Sequence, residues 1–309
     1  GFIKIIPENI SLDVVFEDNE IVIINKPSNM VVHPSYGHYT GTLVHAILYR
    51  FKDIGNLITI VANDYEDKKL IKKLKLFSPK YFFHCAWEGV SGSKRNDKIQ
   101  IKNIKLCLES IELTKKVGCF NWTGLGSHAE YGNLNTILTE KSECKPTTLY
   151  GKSKLESCIK SLKLCNENKI TGNWIRIFNT YGPYDNQTWL IPYIIRSLKR
   201  NESPDLTNCE QVWDYLHIND AVKAIIKVSE LAKGGIFNLG SENPRKLKEF
   251  ISIITNEIGN KIINFGSVPY RKDQVMYLHP DISKIKKFTN WKPKINFEYG
   301  IKELVKTGL

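Results

Sequence analysis

The first chemistry that the sequence suggests lies in the run Tyr150-Gly151-Lys152-Ser153-Lys154, within a stretch that we predict to be helical. Side chains four residues apart share one face of a helix, so the Tyr150 phenol and the Lys154 ammonium would be neighbours. A nearby cation lowers the pKa of a phenol, which would let Tyr150 act as general acid and base near neutral pH. The alternative is an exposed tyrosine beside a solvated lysine, because both residue types are common in this chain.

An upstream segment, residues 123–132, would place the hydroxyl of Ser127 beside that pair. It ends a predicted strand with a glycine-rich turn, and parallel α/β sheets keep their ligands at the carboxyl edge of the strands. Such a sheet is predicted because, from about Leu57 onward, short apolar strands alternate with amphipathic helices. The predicted strands are 57–62, 81–85, 119–123, 173–178 and 235–239, and the predicted helices are 67–77, 100–117, 147–168, 190–200 and 219–232.

Ser127, Tyr150 and Lys154 together resemble the catalytic triad of the extended short-chain dehydrogenase/reductase family, whose members act on nucleotide-sugars with bound NAD(P). The segments that carry the resemblance, in family order over about residues 57–305, are 63–67, 84–87, 123–132, 150–154, 176–183, 213–220, 237–241 and 269–273. The resemblance implies an α/β fold: a Rossmann-like doubly wound parallel sheet, truncated at its N-terminus, with a smaller C-terminal substrate-binding α/β subdomain.

The resemblance also implies roles for matched residues. Lys154 would hold the nicotinamide ribose and lower the pKa of Tyr150. Tyr150 would exchange the proton of the sugar 4-hydroxyl or 4-keto group, and Ser127 would hydrogen-bond the same oxygen while NAD or NADP carried the hydride. The cofactor-binding residues that the resemblance implies are Asp64, His84, Ala86, Trp87, Tyr150 and Lys154.

On the substrate side, the resemblance places a nucleotide-diphosphate sugar against Asn179 and Arg271, which would hold the diphosphate. Glu88 and His128 would also contact the substrate. Their alternatives are a solvated loop glutamate and a hydrogen-bonded structural histidine. Trp213 stands where many members of the family have arginine, which removes one phosphate contact.

The residues that follow Ser127 narrow the reaction. Sugar 4,6-dehydratases of the family carry Asp-Glu there, as the acid and base of water elimination, whereas this chain has His128 and Ala129. Alanine cannot transfer a proton. The sequence therefore favours a nucleotide-sugar epimerase or a 4-keto-sugar reductase acting at the sugar C4.

The glycine turn of the family's cofactor site is missing. Its Gly-x-x-Gly-x-x-Gly sequence, whose backbone amides hold the cofactor pyrophosphate, occurs nowhere in the 309 residues. We therefore expect binding of NAD or NADP to be weakened or lost, in an N-terminally truncated form of the fold.

Residues 5–51 instead resemble the start of the RluA/RluD-type pseudouridine synthases. The segments that carry this second resemblance are 10–18, 24–27, 31–34 and 41–44. It stops before that family's catalytic His-Arg-Leu-Asp motif, which the chain lacks. We therefore predict a chimeric chain, with a synthase-like segment at 1–55 and an epimerase/reductase-like domain at 56–309 whose substrate subdomain is mainly 179–216 and 240–309.

A further hypothesis concerns the lost strand, turn and helix of the cofactor site. Strand 21–25, the loop through Gly41 and helix 42–51 have the same order along the chain and would replace them. The hypothesis requires strand 21–25 to join the parallel sheet.

Composition bears on partners and location. A net charge of +12 favours a nucleic-acid partner, but only 7 of the 44 basic residues are Arg, and the lysines are spread over the whole chain. We therefore expect no dedicated nucleic-acid surface. No apolar run reaches the ~18–20 residues of a membrane span, so we expect no membrane partner. The seven cysteines have no metal-binding spacing, which favours reduced thiols in a cytoplasmic protein.

The sequence leaves the assembly and two alternative functions open. We expect a homodimer through the helices of the Tyr-x-x-x-Lys face. The alternatives to the enzyme are an RNA-associated, pseudouridine-synthase-like fragment and a catalytically dead remnant of a fusion.

Overall fold

The structure is a computed structural model that describes residues 10, 13–17, 22–25, 65–66, 68–90, 92–183, 185–259, 262–271 and 274–307. Asp64, the predicted strand 57–62 and the predicted helix 42–51 lie outside these residues. The chain forms two units, Gly1–Leu70 and Ile71–Leu309. The predicted division near residue 55 stays a prediction.

Each helix and strand predicted within the described residues is present. In chain order the strands are β1 (Asp13–Glu17), β2 (Val22–Asn25), β3 (Tyr81–His84), β4 (Asn121–Ser127), β5 (Ile137–Leu138), β6 (Thr171–Ile177), β7 (Asn179–Tyr181), β8 (Asp205–Leu206), β9 (Val212–Trp213), β10 (Tyr215–His217), β11 (Gly235–Leu239), β12 (Arg245–Lys246), β13 (Asn264–Phe265) and β14 (His279–Pro280). The helices are α1 (Lys68–Phe77), α2 (Ile99–Val117), α3 (Leu149–Glu167), α4 (Leu190–Lys199), α5 (Ile218–Ser229), α6 (Leu247–Ile258), α7 (Ser283–Thr289) and α8 (Phe297–Thr307), with 3₁₀ turns at Gly92–Asn96 and His128–Glu130.

In the first unit, β1 and β2 form an antiparallel two-stranded sheet, with Asp13 opposite Asn25 and Glu17 opposite Val22. Strands that are so close in sequence pair at a small cost in loop-closure entropy. The hypothesis that strand 21–25 replaces the first strand of the parallel sheet is therefore wrong, because β2 pairs with β1 and runs antiparallel to it.

In the second unit, a four-stranded parallel sheet carries the fold. Its strand order is β3-β4-β6-β11. Helix α2 connects β3 to β4, and α3 connects β4 to β6. Parallel strands need such helical crossovers, and the crossovers bring the carboxyl ends of the strands to one edge of the sheet.

Helices cover both faces of this sheet. On one face, Trp122 and Trp174 pack with Cys107 of α2 and Cys158 of α3. On the other face, Phe237 of β11 packs with residues of α5 and α7. The predicted Rossmann-like doubly wound α/β fold is confirmed.

A separate hydrophobic cluster joins α4, α6 and α8 and includes Ile194, Phe250 and Ile301. All three residues fall within the ranges predicted for the substrate subdomain. Among the described residues, no helix combines the length and the apolar character that crossing a membrane requires.

Strand β4 continues to Ser127, beyond its predicted end at residue 123. The prediction that Gly124 and Gly126 form a turn is wrong, because both are residues of β4. The space above Gly124 is filled by the rings of Trp122 and Trp174, so an added Cβ would collide with both. Gly124 is therefore needed to leave space for two indole rings and not to form a turn.

Gly124→Ala is expected to lower the free energy of unfolding by about 1–3 kcal/mol, the usual cost of overpacking a core. Urea denaturation measures this loss. Adding Trp122→Phe removes the ring atom nearest to the new methyl group, so the double variant should be more stable than the two separate losses together predict. Strict additivity of the two substitutions would contradict the steric explanation.

Candidate active site

A cleft of about 650 Å³ opens at the carboxyl edge of the sheet. The predicted site residues that line it are Trp87, Ser127, His128, Tyr150, Lys154, Asn179 and Arg271. His84, Ala86 and Glu88 are not among its lining residues. The fold therefore brings together residues that are up to 184 positions apart in the sequence, from Trp87 to Arg271.

Tyr150 and Lys154 lie in the first two turns of α3. The helix begins after Thr148, whose hydroxyl accepts a hydrogen bond from Gly151 N at 3.1 Å and caps the helix. Both side chains are buried, with 8% of Tyr150 and 5% of Lys154 exposed. The Lys154 ammonium lies 5.8 Å from the centre of the Tyr150 ring, which is the one-turn relation predicted from their spacing.

The Lys154 ammonium is enclosed by a carbonyl group and an indole. Its Nζ donates to Leu125 O at 2.6 Å and lies 3.6 Å from the centre of the Trp87 ring. Burial lowers the pKa of Lys154 to about 8, and the charge of Glu130 acts in the opposite direction. An amine with this pKa is still mostly protonated at neutral pH.

Burial and three neighbouring groups act on the pKa of Tyr150. Burial raises the pKa of Tyr150, while a hydrogen bond with the Ser127 side chain and the charge of Arg95 lower it. The charge of Glu130 also raises it. The Arg95 guanidinium lies 4.6 Å from the centre of the phenol ring, closer than the Lys154 ammonium.

Arg95 is a site residue that the sequence analysis missed. It lies in the 3₁₀ turn Gly92–Asn96 and lines the cleft. No motif marks it, and the one available signal is that arginine is rare in a chain whose basic residues are mostly lysine.

Two polar side chains of α2 fix the loop that carries Trp87. Gln100 Oε1 accepts from Trp87 Nε1 at 2.9 Å. Asn103 donates to Glu88 O at 2.8 Å and accepts from Glu88 N at 3.0 Å. The Glu88 side chain is exposed, which favours the solvated loop glutamate over a substrate contact.

Two histidines near the cleft are held neutral by burial. The pKa values of His84 and His128 are both lowered to about 4. His84 stacks on Trp122, with 6.2 Å between the ring centres, and neither of its ring nitrogens has a hydrogen-bond partner among the described residues. His128 lines the cleft 5.9 Å from the ring centre of Phe178, so it could offer the substrate a neutral hydrogen-bonding ring.

The far side of the cleft carries the predicted diphosphate contacts. Asn179 Nδ2 donates to Asp214 O at 3.1 Å, and Trp213 Nε1 donates to Val275 O at 2.8 Å. Arg271 is exposed and, like Arg95, borders both this cleft and an adjoining cavity of about 470 Å³. Arg95 and Arg271 thus line both the cleft that contains Tyr150 and the cavity beside it.

A buried carboxylate, Glu130, lies directly behind Ser127. Ser127 is the last residue of β4 and caps the 3₁₀ turn, since its Oγ accepts from Ala129 N at 3.2 Å. Glu130 Oε1 accepts from Ser127 N at 2.9 Å, which completes a capping box. Glu130 was not predicted as a site residue, although Ser-x-x-Glu is the known sequence signature of a capping box.

Comparison with known proteins shows the family. The model of the NAD dependent epimerase/dehydratase family matches residues 31–240, which is more than half of the chain. The chain belongs to this family. Membership in the NAD dependent epimerase/dehydratase family identifies it as an enzyme of that family and confirms the resemblance found in residues 57–305.

Two curated relatives match different parts of this epimerase/dehydratase family member. CDP-abequose synthase from Salmonella muenchen is 31% identical over 135 residues, which are 42% of this chain and 46% of that protein. Ribosomal large subunit pseudouridine synthase D from Blochmanniella floridana is 58% identical over 50 residues, 16% of each protein. The second match is confined to the N-terminal ~50 residues, which confirms the other resemblance. The chain spans less than half the length of either relative.

A solved structure shows the same fold. UDP-N-acetylglucosamine 4-epimerase from Methanobrevibacter ruminantium M1, in complex with UDP-N-acetylmuramic acid, matches with a TM-score of 0.73 and 24% identity. The match covers 80% of this chain and 82% of that one. At 24% identity, this similarity shows that the two proteins share a fold.

The cofactor that the family implies fits part of the cleft. Lys154 and Tyr150 present a buried cation and a phenol in one wall, as a nicotinamide riboside requires, and Trp87 adds a flat aromatic face. On the pyrophosphate side, the glycine turn used by the epimerase/dehydratase family does not occur in the sequence. The residues present therefore fit the nicotinamide half of NAD(P).

Proposed function

We propose that the chain is an NAD(P)-dependent nucleotide-sugar epimerase or 4-keto-sugar reductase. The observation that carries the proposal is the single cleft in which Ser127, Tyr150 and Lys154 lie together and which Arg95 and Arg271 also line. This arrangement pairs a proton-transfer group with the cations that a sugar diphosphate needs.

Tyr150 is the proton carrier of the proposed reaction. Burial raises its pKa, so the phenol is protonated at neutral pH and can donate to a 4-keto oxygen. In the reverse direction the phenolate accepts the proton of a 4-hydroxyl group. Ser127, whose side chain lowers the pKa of the phenol, contacts the same sugar oxygen, and NAD(P), when bound, would supply or accept the hydride.

The substrate in this proposal is a nucleotide-diphosphate sugar. Arg95 and Arg271 neutralise the diphosphate, and guanidinium groups suit this task because they bind phosphate oxygens in pairs. Asn179 and His128 offer neutral hydrogen bonds between the diphosphate and the sugar. The names of the matched proteins make CDP-linked and UDP-linked sugars the first classes to test.

Two further proposals concern the cofactor and the assembly. We infer that NAD or NADP binds weakly, because the glycine turn is missing from the sequence. We also infer that two copies pair through α2 and α3. Ile101 of α2 is 57% exposed and Ile159 of α3 is 61% exposed, and a second copy would cover both.

The test combines cofactor titration with turnover. Calorimetry with NAD, NADP and their reduced forms measures binding, and micromolar affinity would contradict the inferred weak binding. Turnover is measured by incubating the chain with UDP-glucose, UDP-N-acetylglucosamine or a CDP-4-keto-6-deoxyhexose, at high cofactor concentration, and separating the products by chromatography. We expect cofactor-dependent conversion of at least one sugar.

The same assays distinguish the alternatives. If no sugar is converted at any cofactor concentration, the catalytically dead remnant is the better description. If the chain instead binds ribosomal RNA with an affinity that falls steeply as salt rises, the RNA-associated alternative gains support, because such a slope reports counterion release from phosphates.

A further inference from the structure

Glu130 is a fully buried carboxylate, and it is not among the residues that line the cleft. Its Oε1 accepts from Ser127 N and from Trp174 Nε1, each at 2.9 Å. Its Oε2 accepts from Arg176 Nε at 2.8 Å. Three donors therefore fix both oxygens, and the ion pair is almost wholly removed from solvent, with 0% of the Glu130 and 3% of the Arg176 side chain exposed.

The contacts continue from Glu130 across the sheet. The Arg176 guanidinium, on β6, lies 4.5 Å from the ring centre of Tyr131. The Tyr131 hydroxyl donates to Asn238 Oδ1 on β11 at 2.6 Å. Ser127 ends β4, and Glu130 ties its main chain to the neighbouring strand β6 through Trp174 and Arg176. The Ser127 hydroxyl is held separately, by the hydrogen bond that its Oγ accepts from Ala129 N at 3.2 Å.

The negative charge of Glu130 also acts on Lys154, which lines the cleft. The titratable groups that face Lys154 are Tyr150 on α3, Cys107 on α2, Glu130 on the 3₁₀ turn, His84 at the end of β3 and Cys85 directly after it. Among the groups that favour its charged form, Glu130 has the largest effect. The carboxylate thus opposes the effect of burial, which lowers the pKa of Lys154.

We propose that Glu130 is a positioning residue for the reaction: it holds the Ser127 main chain through a hydrogen bond and fixes Trp174, whose ring centre lies 6.0 Å from the Lys154 ammonium, so that its carboxylate stands behind the wall that carries Lys154. This inference rests on the proposed function, since it assigns a task only if Ser127 and Lys154 take part in turnover. Glu130 itself meets no substrate.

The first test reads Lys154 without any substrate. Labelling with acetic anhydride across a pH series, followed by mass spectrometry, gives the pH midpoint at which Lys154 becomes reactive; in the parent chain it should lie near the pKa of about 8. In Glu130→Gln the midpoint should move to lower pH, because an amide no longer favours the ammonium. The control is Glu156→Gln, which removes an exposed carboxylate paired with Lys160 on the same helix as Lys154.

An unchanged Lys154 midpoint in Glu130→Gln would overturn the proposal. If that variant fails to fold, the double variant Glu130→Gln/Arg176→Met carries neither charge of the buried pair and repeats the measurement. For any sugar that the parent chain converts, Glu130→Gln should lower kcat by about tenfold or more with little change in KM, as expected for a disturbed geometry. An unchanged kcat would also overturn it. A shifted midpoint without any sugar conversion would refute the proposed function and leave the Glu130–Lys154 coupling intact.

Discussion

Tyr150→Phe is expected to lower kcat, on any nucleotide-sugar that the chain converts, by about 10²–10⁴-fold, the usual contribution of general acid–base catalysis. The substitution removes the phenolic hydroxyl alone. The ring keeps its edge contact with Trp87, at 6.1 Å between ring centres, and its place under the Arg95 guanidinium. Substrate binding and KM should therefore change little, and the loss should appear in kcat.

Steady-state kinetics with chromatographic product analysis measure this effect. Tyr299→Phe is the matched control, because Tyr299 is 56% exposed on α8, and it should keep the parent kcat. A Tyr150→Phe variant that retained more than about a tenth of the parent kcat would show that another group carries the proton.

Arg176→Met is expected to lower the free energy of unfolding by about 3–5 kcal/mol, the usual cost of leaving a buried charge without its partner. Methionine fills much of the volume of the arginine stem but offers no donor to Glu130 Oε2. The carboxylate would keep only its hydrogen bonds from Ser127 N and Trp174 Nε1. This large loss should be visible as a lower urea midpoint.

A surface pair in the same chain provides the control. Arg245 pairs with Glu298, and 24% and 47% of their side chains are exposed. Arg245→Met should therefore cost only about 0–1 kcal/mol. Combining Arg176→Met with Glu130→Gln removes the stranded charge and should recover part of the loss. If Arg176→Met and Arg245→Met lowered the free energy of unfolding equally, burial of the Glu130–Arg176 pair would not increase the cost of losing its arginine.

The strands of the parallel sheet and helices α1 to α5 could be predicted from local patterns, whereas α6, α7, α8 and the short strands were not among the predicted elements. Alternating apolar strands and amphipathic helices indicated the parallel sheet, and the helix with Tyr150 and Lys154 begins within two residues of its predicted start at residue 147. The spacing of these two residues also predicted their shared face. The alternation of strands and helices and the spacing of Tyr150 and Lys154 both depend on residues that are close in the sequence, so they can be recognised from the sequence alone.

What the sequence analysis missed depends on contacts between distant residues. Gly124 was assigned to a turn because its role depends on Trp174, which lies on the next strand. Arg95 reaches the Tyr150 ring through a 3₁₀ turn that no motif marks. The pKa of Tyr150 follows from how deeply the fold buries it, which composition and spacing do not reveal.

The stacked indoles of Trp122 and Trp174 have an optical consequence. Their ring centres are 6.2 Å apart and their planes differ by 19°, inside a wholly buried cluster. Near-ultraviolet circular dichroism reports fixed aromatic packing of this kind and disappears when packing becomes fluid. Trp174 also donates a hydrogen bond to Glu130, the residue proposed to position Ser127. The near-ultraviolet spectrum of this indole pair therefore reports the packing behind the cleft, and no substrate is needed to measure it.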